Sequence, residues 1–426
     1  MFKSASIRKY KKDKTVLTKT NAEVSVKKGI PKKATNFMKK ALMLLGVFCA
    51  LTMGSAAAQN TVKIGYLNTF SGPGAALGQD MRDAFELALD HLGREMGGLR
   101  VEMIYEDDQL SPEIGRQKTE KLLQSDKVNF ISGYFWSNVL LASLKPVVDS
   151  ETFLISANAG PSQIAGELCS PFFFSTSWQN DQMAEAVGEY MNEAGVKTAF
   201  LIGPNYAAGR DVLAGVKSTF KGEVLGELYT TWPSQLDFAA ELTRARAARP
   251  DAIFAFYPGA SGMQFLTQYA QWGLRGNIPL YTYNTLDQIM LPRVQDLALG
   301  VVAAQHWVSD LPNDANRKFV DGFVAKYNRV PSHWASQSYD AAMLINSAVV
   351  AAEGDLSKKD LMRDEMKKAN YDSVRGPYQY GNNHFPIQNF YLKEVVKDSD
   401  GNMGFKTVTT IIENGRDSYY QNCPME

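Results

Sequence analysis

The chain has 426 residues, 45% of them hydrophobic, with 45 basic side chains, 45 acidic ones and 3 cysteines. Residues 1–58 hold 13 of the basic and 2 of the acidic residues, so residues 59–426 carry a net charge of −11. That acidity argues against a nucleic-acid or anionic-membrane partner, and no run after Gln59 is apolar for long enough to span a bilayer.

The first predicted element is a leader. Lys39 and Lys40 precede an apolar run, Ala41–Met53, and Ala56-Ala57-Ala58 precedes Gln59. This is the pattern of a secretory signal peptide cleaved after Ala58, with Met38 as the translation start. The destination is the oxidising periplasm. Cys49 lies inside the leader, and no cysteine directly follows the cleavage site to carry a lipid. The two that remain, Cys169 and Cys423, are a candidate disulfide tying the C-terminal tail to a loop. One buried thiol and one frayed tail thiol is the open alternative.

The following residues alternate between apolar runs and amphipathic ones. Strands are expected at VKIGYLN (62–68), LRVEMIYED (99–107), VNFISGY (128–134) and TFLISAN (152–158). Helices are expected over Asp80–Leu92, Ile114–Ser125 and Ser137–Asp149. After FFFSTSW (172–178) come a helix over Asp181–Ala194, strand KTAFLIG, a helix from Gly209 and strand EVLGELYTT. The helix Phe238–Ala248, strand DAIFAFYP, helix Ser261–Trp272 and strand IPLYTYN follow. The pattern is α/β, with parallel sheets covered on both faces by helices. The length suggests two domains. No low-complexity linker is present, so the chain is expected to cross between them on three extended segments: Phe172–Trp178, Ala303–Ser309 and Val374–Tyr380. FYLKEVVKD and FKTVTTII then read as a hairpin turning at Asp398–Gly401.

The loop Gly72–Gly78 follows a strand and opens a helix, as a dinucleotide fingerprint does. Its spacing is G-x-G-x-x-x-G, and Pro73 removes a backbone N–H that a pyrophosphate would use. No cofactor is expected. No metal is expected either, since His91, His306, His333 and His384 lack ligand spacing and no HExxH occurs. Gly259–Met263 lacks the final glycine of a nucleophile elbow, so the chain does not read as an enzyme.

Ligands of open α/β sheets sit beyond the carboxyl ends of strands, near helix N-termini that favour anions. The residues at those positions are Phe70 and Ser71; Phe135, Trp136 and Ser137; Asn158, Ala159 and Gly160; Trp178; Tyr206; Tyr257; Asn284 and Thr285; and His306 and Trp307. Aromatics with a few convergent polar groups suit a small-molecule pocket. Aromatics at strand ends also cap cores, and Ser137 also reads as a helix N-cap. Its hydroxyl and the free N–H groups beside it suit a carboxylate.

These segments, in this order, resemble a known family. IGYLNTFSGPGAALGQDMRDAFELAL, YEDDQLSPEIGRQKTEKLL, GYFWSNVLLA, FLISANAGPSQIA, GPNYAAGRD, FYPGASGMQFLTQYAQWGL and SQSYDAAMLINSA are similar to periplasmic solute-binding proteins of the branched-chain amino acid type, which serve ABC importers. The resemblance covers Thr61 to about Asn382. It implies a type I periplasmic binding protein fold: two Rossmann-like lobes, joined by three crossover strands, with ligand in the cleft. Lobe 1 would comprise 59–177 and 306–375, and lobe 2 178–305 and 376–426. It also implies that Ser137 holds the ligand carboxylate, that Tyr206 lines the other lobe, and that a monomer docks on a membrane permease. Two positions depart. The family's hydroxyl residue falls near Gly160, and its acid for the ligand ammonium falls near Asn284 or Thr285, with Asp287 off the site. A buried ammonium needs an opposing charge. The expected ligand is therefore an aromatic carboxylate of benzoate or cinnamate type. The alternatives are a branched-chain or other amino acid or amide, a ligand-sensing module for a membrane receptor, and a secreted enzyme.

Overall fold

The computed structural model describes residues 61–425, apart from Ser234, Asp398 and Asp400. The expected signal peptide and its cleavage site therefore lie outside the described residues, as do Asp398 and Asp400 of the expected hairpin turn.

The apolar runs form two sheets. The first contains β1 (Thr61–Asn68), β2 (Glu95–Met96), β3 (Leu99–Asp107), β4 (Phe130–Gly133), β5 (Phe153–Ser156) and β6 (Phe173–Ser175). Its order is β2-β3-β1-β4-β5-β6, parallel except for β2. The second contains β7 (Thr198–Pro204), β8 (Glu223–Thr230), β9 (Ala252–Ala255), β10 (Leu280–Thr282), β11 (Val302–Gln305), β12 (Gln379–Tyr380), β13 (Pro386–Lys397) and β14 (Met403–Gly415). Its order is β12-β13-β11-β10-β9-β7-β8, with β14 on β13. This sheet is mixed, its parallel strands extended by the hairpin expected of FYLKEVVKD and FKTVTTII. β13 runs antiparallel to β12 and β14, to which short connections join it, and antiparallel also to β11.

The helices used below are α1 (Ala75–His91), α2 (Pro112–Lys121), α3 (Ser137–Asp149), α4 (Gln182–Glu193), α5 (Ala207–Thr219), α6 (Ala239–Ala248), α7 (Ala260–Gln271), α8 (Asp314–Tyr327), α9 (His333–Ala351) and α10 (Lys359–Lys368). Neighbouring residues of β1 show how they cover the first sheet. A Cβ on Gly65 would stand 2.9 Å from Leu122, just past α2. Tyr66 points the other way and bonds Ser338 of α9 through its hydroxyl (2.7 Å). Side chains alternate across a strand, so α2 and α9 lie on opposite faces. Helix α1 begins at Ala75, five residues earlier than Asp80, where the periodicity places it. Gly78 permits this: a Cβ there would meet the Thr69 carbonyl at 2.0 Å. Much of the glycine-rich loop is therefore the first turn of a helix packed against its own strand.

After β11 the chain returns to the first sheet, where α9 packs on α1, and then re-enters the second sheet at β12. Neither lobe is one continuous segment. The expected crossings are only partly strand. Phe172–Trp178 contains β6 of the first sheet, Ala303–Ser309 starts within β11 of the second, and Val374–Tyr380 ends in β12. Arg375, in the third crossing, joins them. Its buried guanidinium donates to Thr176 O, to Ser177 O (3.4 Å), to Gln388 Oε1 (2.6 Å) and to Asp340 Oδ2 of α9 (3.1 Å). Cys169 and Cys423 are joined by a disulfide, with Cα atoms 5.7 Å apart, which fastens the tail to the segment before β6.

Candidate functional site

Strand β4 ends at Gly133 and α3 starts at Ser137, leaving Tyr134, Phe135 and Trp136 to make the turn. Tyr134 takes a left-handed backbone conformation, φ +58°, an outlier for a bulky residue that is held only by its surroundings. Its hydroxyl bonds Thr119 (2.7 Å). Trp136 is the residue before the helix, and its indole N–H turns away to Thr69 Oγ1 (2.9 Å). The first N–H groups of α3, Ser137 among them, are thus without a side-chain cap, as an anion site requires.

Asn180 organises the groups around Ser137. Its Nδ2 donates to Ser137 Oγ (3.1 Å) and to Asp211 Oδ2 (2.9 Å), and its Oδ1 accepts from Gly160 N–H (3.3 Å). Because the serine oxygen accepts from an amide, its own proton is left to donate. The loop after β5 is fixed in the same way. Asn158 donates to Phe135 O (2.6 Å) and accepts from Gln337 of α9 (2.8 Å), and Ala159 N–H bonds Tyr134 O (3.0 Å). Gly160 lies against Trp178, whose carbonyl would be 2.0 Å from any Cβ.

Aromatic rings form a closed circuit that includes Trp136, the neighbour of Ser137. On the first lobe, Trp136 meets Phe135 at 4.7 Å between ring centroids, and Phe135 meets Trp334 at 5.3 Å. Trp334 contacts His333 (4.3 Å), and Trp178 contacts both His333 (6.1 Å) and His306 (4.7 Å). From Trp178 the circuit passes to Tyr283 (6.2 Å), then Phe256 (4.9 Å) and Tyr206 (6.4 Å) of the second lobe. Tyr206 closes it against Trp136 (6.1 Å) and stacks on Trp232 (5.1 Å). At the Trp136 end a narrow recess of about 30 Å³ opens between Gly74 of the first lobe and Trp232, Pro258 and Ser261 of the second.

Several expected site residues are placed elsewhere. Trp307 is a correction: it is fully buried away from the circuit, donating to Asn316 Oδ1 (2.8 Å) against Phe319. It follows His306 directly, and adjacent residues of an extended segment point to opposite sides. Thr285 is another. Its hydroxyl accepts from Tyr257 N–H and donates to Ala255 O, both at 2.9 Å, and so completes backbone bonds at the end of β9. Tyr257 packs its ring on Phe238 and Phe265 of the second lobe's core and borders only the recess. Ser71 is exposed at the rim beside Asp107. Asn284 has φ +54°, and its Oδ1 accepts from Gln305 (3.2 Å).

Asn180 also ties Ser137 to a buried acid. Asp211 is the acid linked to it, and it already accepts from Ser162 N–H (3.1 Å), Ser162 Oγ (2.9 Å) and Asn180. Burial raises the Asp211 carboxyl above its ordinary range. Burial, and then the charge of Asp211, push Asp181 up to about 7. Burial also raises the Tyr206 phenol and holds His306 and His333 well below the usual imidazole range.

Asn180, Gln337, His333 and Trp334 belong to this constellation without having been expected there. Asn180 follows Trp178 in the first crossing, which was a usable signal. The other three lie at the start of α9, more than 150 residues along the chain from the loops they meet, and nothing local in the sequence points to them.

A family model described as periplasmic binding protein matches residues 61–402. A Leu/Ile/Val-binding protein homolog of Brucella melitensis is 28% identical over 392 residues, spanning 89% of this chain and 98% of the relative. Among solved structures, the solute-binding protein of an ABC transporter from R. palustris, in complex with benzoate, is 31% identical with a TM-score of 0.81, covering 86% of this chain and 100% of that one. A second, from Rhodopseudomonas palustris BisB5 in complex with 3,4-dihydroxybenzoic acid, is 28% identical with a TM-score of 0.76, covering 84% and 99%.

Proposed function

We propose, from the premise that the chain belongs to the periplasmic binding protein family, that it binds an aromatic carboxylate of benzoate or cinnamate type between its lobes and delivers it to an ABC-type importer. The aromatic circuit beside Ser137 carries this reading. The Ser137 hydroxyl and the N-terminus of α3 take the carboxylate, and Phe135, Trp136 and Tyr206 take the ring. The benzoate complex of the relative with 31% identity supports the ligand class. An amino acid is disfavoured because the uncharged Asn284 and Thr285 stand where the resemblance implies an acid for the ligand ammonium.

The mechanism is closure without covalent chemistry. Lobe 1 takes residues 59–177 and 306–375, and lobe 2 takes 178–305 and 376–426. Ligand touching both favours the closed form by the difference in its affinity for the two states, and the closed form docks on the permease. The family places this in the periplasm. Calorimetric titration of the purified protein with benzoate, cinnamate, leucine and valine tests the reading. Binding of the aromatic acids alone is expected. Binding of leucine or valine with none of the aromatic acids would overturn it.

A further inference from the structure

The far side of the ring circuit, opposite Trp136 and Ser137, is polar and unsatisfied. Among the described residues, both ring nitrogens of His306 and of His333 and the indole nitrogen of Trp334 have no hydrogen-bond partner, although all three side chains are buried. The side-chain oxygens of Gln305 and Gln337 are in the same state. Their amide nitrogens are committed to Asn284 and Asn158, which belong to the ligand-facing loops of the two lobes. Buried polar atoms of native proteins are nearly always paired with protein, water or ligand. Such a concentration on one side of an otherwise apolar ring therefore marks a place for a guest.

The chemistry of these atoms selects the guest. Burial keeps both imidazoles neutral, so each offers one donor and one acceptor. The Trp334 indole adds a donor, and the glutamine oxygens add acceptors. Of the charged groups that act on the imidazoles, Arg375 is engaged by Asp340 and Gln388, and Lys393 lies over the Phe405 ring with its pKa lowered by burial to about 7, so neither offers a fixed partner for a second carboxylate. A group that both donates and accepts, with no charge, satisfies them, and on an aromatic ring that group is a phenolic hydroxyl.

Resting on the carboxylate reading above, we infer that His306, His333 and Trp334 form a polar subsite for a ring hydroxyl, and that the two histidines select hydroxylated aromatic acids over unsubstituted ones. A site built to hydrogen-bond a hydroxyl discriminates strongly against analogues lacking it, because its own buried groups are left unpaired.

Calorimetric affinities for benzoate, 4-methoxybenzoate, 4-hydroxybenzoate and 3,4-dihydroxybenzoate test this in the wild-type protein and in His306→Phe, His333→Phe and His333→Gln. The wild type is expected to hold at least one hydroxylated acid about tenfold or more tighter than benzoate. The phenylalanine variants are expected to lose that ratio, whatever their absolute affinity for benzoate. His333→Gln, which retains a donor and an acceptor, is expected to keep part of it. Equal wild-type affinity for all four acids would mean that water alone occupies the subsite, and would overturn the inference but not the carboxylate reading. A uniform loss for every acid in the histidine variants would overturn it too. If no aromatic acid binds the wild type, the carboxylate reading fails and this inference with it. Should the phenylalanine variants not fold, the wild-type ratios and His333→Gln decide.

Discussion

Asn180 is the residue through which the site is assembled, since one amide touches Ser137, Gly160 and Asp211. In the proposed site Ser137 supplies the hydroxyl proton and Asn180 aims it. Ser137→Ala is expected to weaken aromatic-acid binding by about 1.5–3 kcal/mol, the value of one hydrogen bond to a charged group. In a calorimetric titration that is roughly a 10- to 150-fold rise in Kd, with unfolding unchanged. Asp181 governs a different measurement. Burial first, and Asp211 second, raise its folded pKa to about 7, whereas the unfolded value is about 3.9. The folded chain then binds more protons than the unfolded chain between about pH 4 and pH 7, so this group's stabilising contribution is full below pH 4 and is lost as pH rises through 7. Asp181→Asn keeps acceptor and donor capacity toward Gln179 and Tyr419. It is expected to flatten the fall in urea midpoint measured from pH 5 to pH 8. At this scale the sequence was only partly legible. The position of Ser137 was legible because a strand end and a helix start flank it. His306 and Trp307 are indistinguishable as letters in an extended segment, and only the direction of each side chain separates the ring facing Trp178 from the one bonded to Asn316.

The elements position these residues through close backbone approaches. Helix α3 begins at Ser137, as its apolar spacing requires. Helix α1 starts earlier than its periodicity indicates because Gly78 tucks beneath Thr69, a tertiary contact that no local pattern encodes. The loop after β5 depends on a similar approach. Gly160→Ala would put a methyl group 2.0 Å from the Trp178 carbonyl, where only backbone could yield. The variant is expected to separate the β5 loop from the first crossing, lowering the thermal midpoint and weakening aromatic-acid binding together. A change in midpoint alone, with affinity intact, would place Gly160 outside the site. Alternation of short apolar strands with amphipathic helices made most elements readable. The antiparallel pairing of β13 with β14 was read from the short turn between them, whereas its pairing with β11 was not, since the two are far apart along the chain.

The whole molecule is two sheets whose helices are exchanged along the chain, and Arg375 sits where the exchange is tied together. Its ion pair with Asp340 is almost wholly buried, with side chains 3% and 0% exposed. Removing one partner of such a pair costs about 3–5 kcal/mol, because the other charge is left uncompensated. Arg375→Met is expected to lower unfolding free energy by that amount in urea denaturation, and Asp340→Asn added to it is expected to restore part of the loss. The alternation of the chain between the two sheets was legible in its extended segments without linkers. The clamp across them was not, because Arg375 reads as an ordinary surface charge until Thr176, Gln388 and Asp340 are brought around it.

The ring circuit also gives the molecule an optical property. Of the six tryptophans in the chain, Trp136, Trp178 and Trp334 belong to the circuit and Trp232 stacks on it through Tyr206, whereas Trp272 and Trp307 lie apart. A guest that enters among these indoles changes the surroundings of most of the chain's ultraviolet emitters in one event. Intrinsic fluorescence is therefore expected to report occupancy without a label, saturating with the same Kd as calorimetry. Trp178→Phe is expected to dim the ligand-induced change, whereas Trp272→Phe, which removes only background, is expected to enlarge it as a fraction of the total signal.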